Sequence, residues 1–430
     1  MEQIRNIPDT KLKRIVIVGA GFGGLELAKK LDARSFQVIL IDRNNYFQFQ
    51  PLFYQVAMSG LEPATIVFPL RKIFQEKNNF HFRLAELQRI IPEEQKIETS
   101  IGSISYDELV LACGAETNFY GNENLRKHSL GMKNISEAIF IRNRLLQNFE
   151  KALNAKSNTE RDSLLHVVIA GGGPTGVELA GSISEMRKYI LPEDYPEIDF
   201  GQMKITLIQS GEKLLSAMSY ESSVKAKKYL EQLDVDLVFY KRVIDFDGTK
   251  ISFDDGSSIF AHNLIWTAGI ASHKIEGMPA EALMPGNRIW INEQCEVHHL
   301  HHVYAIGDLC YLKPVEDADA LPQMAPLAIQ QGAFLARHFS RRLRNKPSEK
   351  FTYINKGVMA TIGRNKAVAE FPIIHFGGIL AWMAWLFIHL FLLFGAKNKV
   401  IVFINWIWSY VTYDQSLRLL ILPKNNSLND

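Results

Sequence analysis

Cysteine is nearly absent. Only Cys113, Cys295 and Cys310 occur among 430 residues, which excludes a disulfide scaffold, and no pair has the CxxC spacing of a zinc site or a short-range redox dithiol. Charge of one sign is also missing. Lys+Arg number 48 against 46 Asp+Glu, a net +2, without the basic excess of a dedicated nucleic-acid binder. A secretory leader is not legible either: the first apolar run, Ile15–Val18, is four residues long, where a signal needs about 7–15. The chain is therefore expected to stay, with reduced thiols, in the compartment where it is made. One stretch lacks charge altogether. The 20 residues Gly377–Ala396 carry no formal charge, and a second apolar run of 12 residues covers Val400–Val411. What remains is a chain with 47% hydrophobic and 22% charged residues, able to fill cores in about two to four domains.

One pattern occurs twice. Arg14–Val18, a short run rich in β-branched residues, leads into Gly19-Ala-Gly21-Phe-Gly-Gly24 and a helical stretch, Leu25–Leu31. Val167–Ala170 leads into Gly171-Gly-Gly173-Pro-Thr-Gly176 and a helical stretch, Val177–Met186. Each is strand, GxGxxG, helix. Each is followed by a later strand ending in a small-Gly step, Leu109–Gly114 in the first and Leu264–Gly269 in the second. Gly19 and Gly171 are 152 residues apart, a duplication that predicts two Rossmann-like dinucleotide-binding domains in an α/β fold. Alternation over Val243–Ile259, broken at Asp247-Gly248 and Asp255-Gly256, predicts hairpins. Val303–Ile306 reads as a strand and Ala325–Leu343 as a helix, both returning to the first domain.

Glycine loops of this kind allow a tight turn and close backbone approach to a pyrophosphate at a helix amino terminus, whose free N–H groups and partial positive charge suit an anion. Acidic partners separate the two sites. The strand after the first loop ends in Asp42, placed to accept from a ribose diol. The matching strand Ile205–Ile208 ends in Gln209, which does not repel a 2′-phosphate, so NADH and NADPH both remain open. Two dinucleotide sites in one chain suggest an electron relay from a nicotinamide to an acceptor such as a flavin, a cofactor that carries the chemistry itself.

Further segments make the pattern specific. With the two glycine motifs, Phe49–Ala57 (FQPLFYQVA), Ala305-Ile-Gly-Asp308, Leu321–Gln331 (LPQMAPLAIQQ), Met359–Gly363 and Asn405–Tyr413 resemble the type II NADH:quinone oxidoreductases over nearly the whole chain, from Arg14 to Leu420. The resemblance implies non-covalent FAD held by Gly19, Gly21, Gly24, Asp42, Asp308 and Ala328. It implies NAD(P)H as substrate at Gly171, Gly173, Gly176, Glu178, Gln209 and Gly269, and electron delivery to membrane quinone without proton pumping. Glu178 and Gln330 are the implied catalytic residues, Glu178 near the nicotinamide and quinone, Gln330 in the quinone pocket. The family usually has Gln where this chain has Pro326, which suits the first position of a helix whose amino terminus would stabilise negative charge on the flavin. No metal site and no nucleic-acid partner is expected, and a homodimer is an open option.

The tail reads as a monotopic anchor of two interfacial helices, with a spanning Gly377–Ala396 segment as the competing reading. Trp382, Trp385, Trp406, Trp408 and Tyr410 suit a headgroup boundary, and Lys397 and Lys399 can meet anionic lipid. The expected location is the cytoplasmic face of a bacterial inner membrane. The partition read from the sequence is 1–120 and 297–375 for FAD, 121–296 for NAD(P)H and 376–430 for the anchor. Two other activities compete: a sulfide:quinone oxidoreductase, which this chain resembles loosely and which requires activated cysteines, and a non-enzymatic membrane-bound flavin redox sensor. His298–His302 reads as a solvated loop.

Overall fold

The computed structural model describes residues 2–314, 319–414 and 417–421. The chain forms two compact units. Unit 1 comprises Met1–Phe47, Phe68–Glu116 and Ile270–Asn355; unit 2 comprises Gln48–Val67, Thr117–Gly269 and Lys356–Asp430.

Unit 1 is built on a five-stranded parallel sheet in the order Val303–Ala305, Glu108–Leu111, Lys13–Val18, Phe36–Asp42, Phe80–Leu84. Ile15, Ile17, Val38, Leu40, Leu109 and Leu111 are all buried, the unbroken apolar run of a parallel sheet covered on both faces. The helix Phe22–Lys30 follows the first strand and packs against the helix Ala325–Leu343. Gly332 makes that contact possible: a Cβ there would lie 2.3 Å from the Gly23 carbonyl oxygen. The carboxyl end of Phe22–Lys30 is capped by a side chain. Lys77 Nζ donates to the carbonyls of Ala28, Lys29 and Leu31 at 3.0, 2.6 and 3.1 Å, satisfying acceptors that a helix end leaves free.

Unit 2 repeats the scheme with four parallel strands in the order Asp236–Val238, Ile205–Ile208, Val167–Ala170, Asn263–Trp266. The helix Pro174–Tyr189 follows the glycine loop. The expected hairpins are present as Val243–Phe246, Lys250–Phe253 and Ser258–Phe260. Their acidic turns serve themselves: Asp247 Oδ1 accepts from Thr249 and Lys250 N–H, and Asp255 Oδ1 from Ser257 N–H.

The units cut the chain differently from the partition read off the sequence. Residues 48–67 and 356–430 group with 117–269. The short helix Phe53–Ala57 packs on the helices Ile135–Leu153 and Pro174–Tyr189. The antiparallel hairpin Val358–Gly363 and Lys366–Glu370 lies against Pro174–Tyr189. There Gly181 lets helix and strand backbones touch, since a Cβ would lie 1.6 Å from the Ile362 carbonyl oxygen.

The tail forms two helices, Ile379–Leu392 and Ala396–Thr412. The first has 14 residues, about 21 Å of rise against a hydrocarbon core of about 30 Å. Among the described residues no helix is long and apolar enough to cross a membrane, so the spanning reading of Gly377–Ala396 has no helix to carry it. Both helices dock by one stripe. Ala381 and Trp385 are buried in the first, Val402 in the second. Their opposite stripes, Leu380, Met383, Phe387 and Phe391 in one and Val400, Phe403, Ile404, Ile407 and Val411 in the other, are exposed. Arg364 holds the far end, donating to the carbonyls of Ser409 and Tyr410 at 2.8 and 3.1 Å, with its guanidinium 3.5 Å from the Tyr413 ring centre.

Candidate functional site

The two glycine loops have the same geometry. Gly19 (φ +104) and Gly171 (φ +111) pass under the small-Gly steps, where a Cβ would strike Ala112 O at 2.3 Å and Thr267 O at 2.6 Å respectively. Gly24 and Gly176 close the turns, their Cβ positions lying 1.9 Å from Gly19 O and 2.0 Å from Gly171 O. Gly21 (φ −69, ψ −167) and Gly173 (φ −74, ψ −179) sit at the amino caps, and nothing lies within 4 Å of a Cβ added at either. Each loop therefore opens a cradle at a helix amino terminus, an arrangement that accepts a phosphate oxygen.

The residues ending the second strands pin these loops. Asp42 Oδ2 accepts the Ala20 N–H at 2.6 Å and Oδ1 the Asn44 N–H at 2.6 Å. Burial raises the Asp42 carboxyl above the usual range, opposed by those two hydrogen bonds. Gln209 Oε1 accepts the Gly172 N–H at 2.9 Å. In unit 2 the Gly269 turn (φ +152) lies beneath Tyr120, whose hydroxyl donates to Ala268 O at 3.0 Å.

Asp308 follows Gly307 (φ +75) in a short 3-10 turn. Sequence reasoning missed the residue that fixes this turn. Gln331, fully buried, accepts the Gly307 N–H on Oε1 at 2.8 Å and donates Nε2 to Cys310 Sγ at 3.2 Å. The helix Ala325–Leu343 begins one residue before Pro326, so the proline takes its second position, where its missing N–H still costs no helical bond. Ala328 is buried in the first turn and its carbonyl faces Gly23. Gln330, expected in a quinone pocket, is bonded to the Ile354 backbone: Nε2 donates to Ile354 O and Oε1 accepts Ile354 N–H, both at 2.9 Å.

Glu178 lies in unit 2 on Pro174–Tyr189, one turn before Gly181. It is partly exposed, Thr361 N–H approaches its Oε1 at 3.5 Å, and desolvation pushes its carboxyl up to about 8. Tyr54 is beside it, buried, with its phenol raised well above its ordinary value by burial and then by the Glu178 charge. Around them stand aromatic groups from the tail helices. Trp385 meets Tyr54 edge-on at 6.0 Å and stacks on His389 at 4.0 Å. Trp406 Nε1 donates to Gln55 Oε1 at 2.8 Å. His389 is held neutral, its ring pushed down to about 4 by burial, with Nδ1 2.7 Å from the Trp385 carbonyl. These aromatic groups surround a carboxyl that desolvation raises well above its ordinary range, surroundings suited to a flat apolar ligand that carries carbonyl oxygens.

The surroundings of all three thiols disfavour the thiolate. Burial pushes Cys113 up to about 12, Cys310 to about 11 and Cys295 well above its ordinary value, whereas sulfur chemistry needs the thiolate. His298 stacks on Trp290 at 3.8 Å.

Comparison with known proteins agrees with these features. Residues 13–332 match the pyridine nucleotide-disulphide oxidoreductases, and residues 355–412 match the NDH2 C-terminal domain. The type II NADH:quinone oxidoreductase NdhA of Mycobacterium tuberculosis is 32% identical over 410 residues, covering 91% of this chain and 86% of the relative. The chain belongs to the type II NADH:quinone oxidoreductases. A Staphylococcus aureus member of that family is 25% identical, covering 83% of this chain and 89% of its own. The type II oxidoreductase fold is shared with NDH2 of Plasmodium falciparum, solved in complex with NADH, at a TM-score of 0.87 and 22% identity over 96% of this chain and all of the other. A sulfide:quinone oxidoreductase of Aquifex aeolicus is a more distant fold neighbour, at a TM-score of 0.73 and 18% identity over 90% of this chain and 92% of the other.

Proposed function

We propose that this type II NADH:quinone oxidoreductase, which passes electrons from NADH to quinone without pumping protons, holds FAD in unit 1 and its nicotinamide nucleotide in unit 2, and meets quinone at Glu178. The observation that carries the reading is the pair of congruent glycine cradles in one chain, each open at the position where a side chain would fill it. FAD fits the first: Gly19, Gly21 and Gly24 would take the pyrophosphate, Asp42 a ribose and Asp308 the ribitol. Bound there, the flavin supplies two-electron acceptance from a nicotinamide and delivery to a quinone.

The chain's own residues bind and orient. Gly171, Gly173 and Gly176 take the nucleotide pyrophosphate, Gly269 leaves room at the end of the neighbouring strand, and Gln209 offers amide hydrogens to the ribose or to a 2′-phosphate. NADPH is accordingly accepted alongside NADH. Glu178, protonated at neutral pH, holds a proton where a quinone oxygen would need it. Gln330 acts at one remove, through the Ile354 loop. The exposed stripes of the two tail helices rest on lipid at the cytoplasmic face of a bacterial inner membrane, with Lys397 toward the headgroups, so that quinone is reached from the bilayer.

One cuvette tests this. Detergent-purified protein should be yellow, bleach on anaerobic addition of NADH and regain its colour with a short-chain benzoquinone. Protein that stays unbleached by NADH after incubation with FAD would overturn the assignment of both cradles.

A further inference from the structure

The aromatic surroundings of Glu178 contain a hydrogen-bond chain whose direction is fixed by chemistry. Trp406 Nε1 contacts a Gln55 side-chain atom at 2.8 Å. An indole nitrogen only donates, so the Gln55 atom it meets is the carbonyl oxygen. The other end of the amide is then NH₂, and that end lies 2.8 Å from the Tyr54 hydroxyl oxygen. An NH₂ only donates, so the Tyr54 oxygen accepts, and its own hydrogen must leave in another direction. Tyr54 is buried, and the foremost charge acting on its ring hydroxyl is that of Glu178.

We propose that Gln55 is a positioning residue: anchored by Trp406, it turns the Tyr54 hydroxyl hydrogen away from itself and toward the Glu178 pocket, where that hydrogen binds a quinone carbonyl oxygen. This rests on the reading of the Glu178 pocket as the quinone site. Gln55 and Tyr54 stand on the short helix Phe53–Ala57, and Trp406 stands in the middle of Ala396–Thr412. The seating of the last helix therefore sets the polarity of a donor that belongs to a different part of the chain. A second tie keeps that helix in register, Asn398 Nδ2 to Val67 O at 3.3 Å.

The decisive variant is Gln55→Glu. It has the same shape and keeps an acceptor for Trp406, but its second oxygen now takes the Tyr54 hydrogen. The probe is a short-chain benzoquinone added to holoenzyme, with binding followed by quenching of tryptophan fluorescence and the two half-reactions by stopped flow. The expected result is benzoquinone binding weakened about tenfold and re-oxidation slowed by a similar factor, while bleaching by NADH keeps its rate. Tyr54→Phe should match Gln55→Glu, and the double variant should add little, since the two act on one hydrogen. If Gln55→Glu does not fold, Trp406→Phe, which frees the amide to rotate, should produce a smaller loss in the same half-reaction. Unchanged benzoquinone affinity in Gln55→Glu or, failing that, in Trp406→Phe overturns the proposal. Glu178→Gln separates the two levels. If it impairs re-oxidation while the Gln55 and Tyr54 variants do not, the positioning role alone falls; if it too is without effect, the quinone reading of the pocket falls with it.

Discussion

The Gln209 carboxamide oxygen accepts the Gly172 N–H at 2.9 Å, and this one bond fixes which end of the amide is turned from the loop. A backbone N–H can only donate, so the Gln209 NH₂ is the end left for the ligand. In unit 1 Asp42 does the same service for Ala20 but is a carboxylate. The two cradles thus share a backbone and differ in the group that ends the second strand, a carboxyl in one and an amide in the other.

Gln209→Glu should therefore restore an acceptor and repel a 2′-phosphate. The NADPH-to-NADH ratio of kcat/KM should fall about tenfold, about 1.4 kcal/mol of discrimination, with the NADH value little changed. Steady-state kinetics with both nucleotides checks this, and an unaltered ratio would remove the electrostatic account of this position.

Glu178 predicts a pH dependence. Its carboxyl is raised from 4.5 to about 8, so the folded protein keeps a proton that the unfolded chain has already lost. The associated stability is fully present below pH 4.5 and is lost as pH rises through about 8. Glu178→Gln should melt closer to wild type at pH 5 and gain relative to it at pH 8.5, as thermal unfolding at the two values would reveal. The quinone half-reaction should also decline above about pH 8 in the wild type, and the variant should lack that limb.

Gly21 and Gly24 should separate ligand loss from fold loss. Gly21→Ala meets nothing within 4 Å and has an ordinary φ of −69, so the melting temperature of the apoprotein should hold while bound flavin, measured after desalting, drops sharply. Gly24→Ala sets a methyl 1.9 Å from the Gly19 carbonyl oxygen and should lower the melting temperature itself.

The exposed stripes of the tail helices should govern lipid attachment. Phe387→Glu with Ile404→Glu places charge on residues that are 61% and 56% exposed, away from the docked stripe. Liposome flotation should be lost, while NADH bleaching in solution persists.

The duplicated strand, loop and helix were legible because local spacing carries them: Gly19 to Gly24 and Gly171 to Gly176 are each confined to six residues. The hairpins at Asp247 and Asp255 and the helix Ala325–Leu343 were legible for the same reason. The polar connections were not. Gln55 and Trp406 are 351 positions apart, and no periodicity links a residue near the start of the chain with one near its end. Gln330 and Gln331 show the limit at shorter range. Adjacent residues on a helix diverge by about 100°, so one amide grips the Ile354 loop while its neighbour turns into the core beneath Gly307. Which of the two faces inward depends on the helix it packs against, and the grouping of 48–67 with 117–269 likewise depends on packing partners distant in sequence.

Since the cradles coincide glycine for glycine at a constant offset, this polypeptide carries its own reference experiment. An alanine at Gly173 meets the same emptiness as one at Gly21, yet should cost the diffusible nucleotide and spare the resident one. Any solvent, salt or expression artefact would strike both alike, so a difference between the twins reports only on which molecule each one cradles.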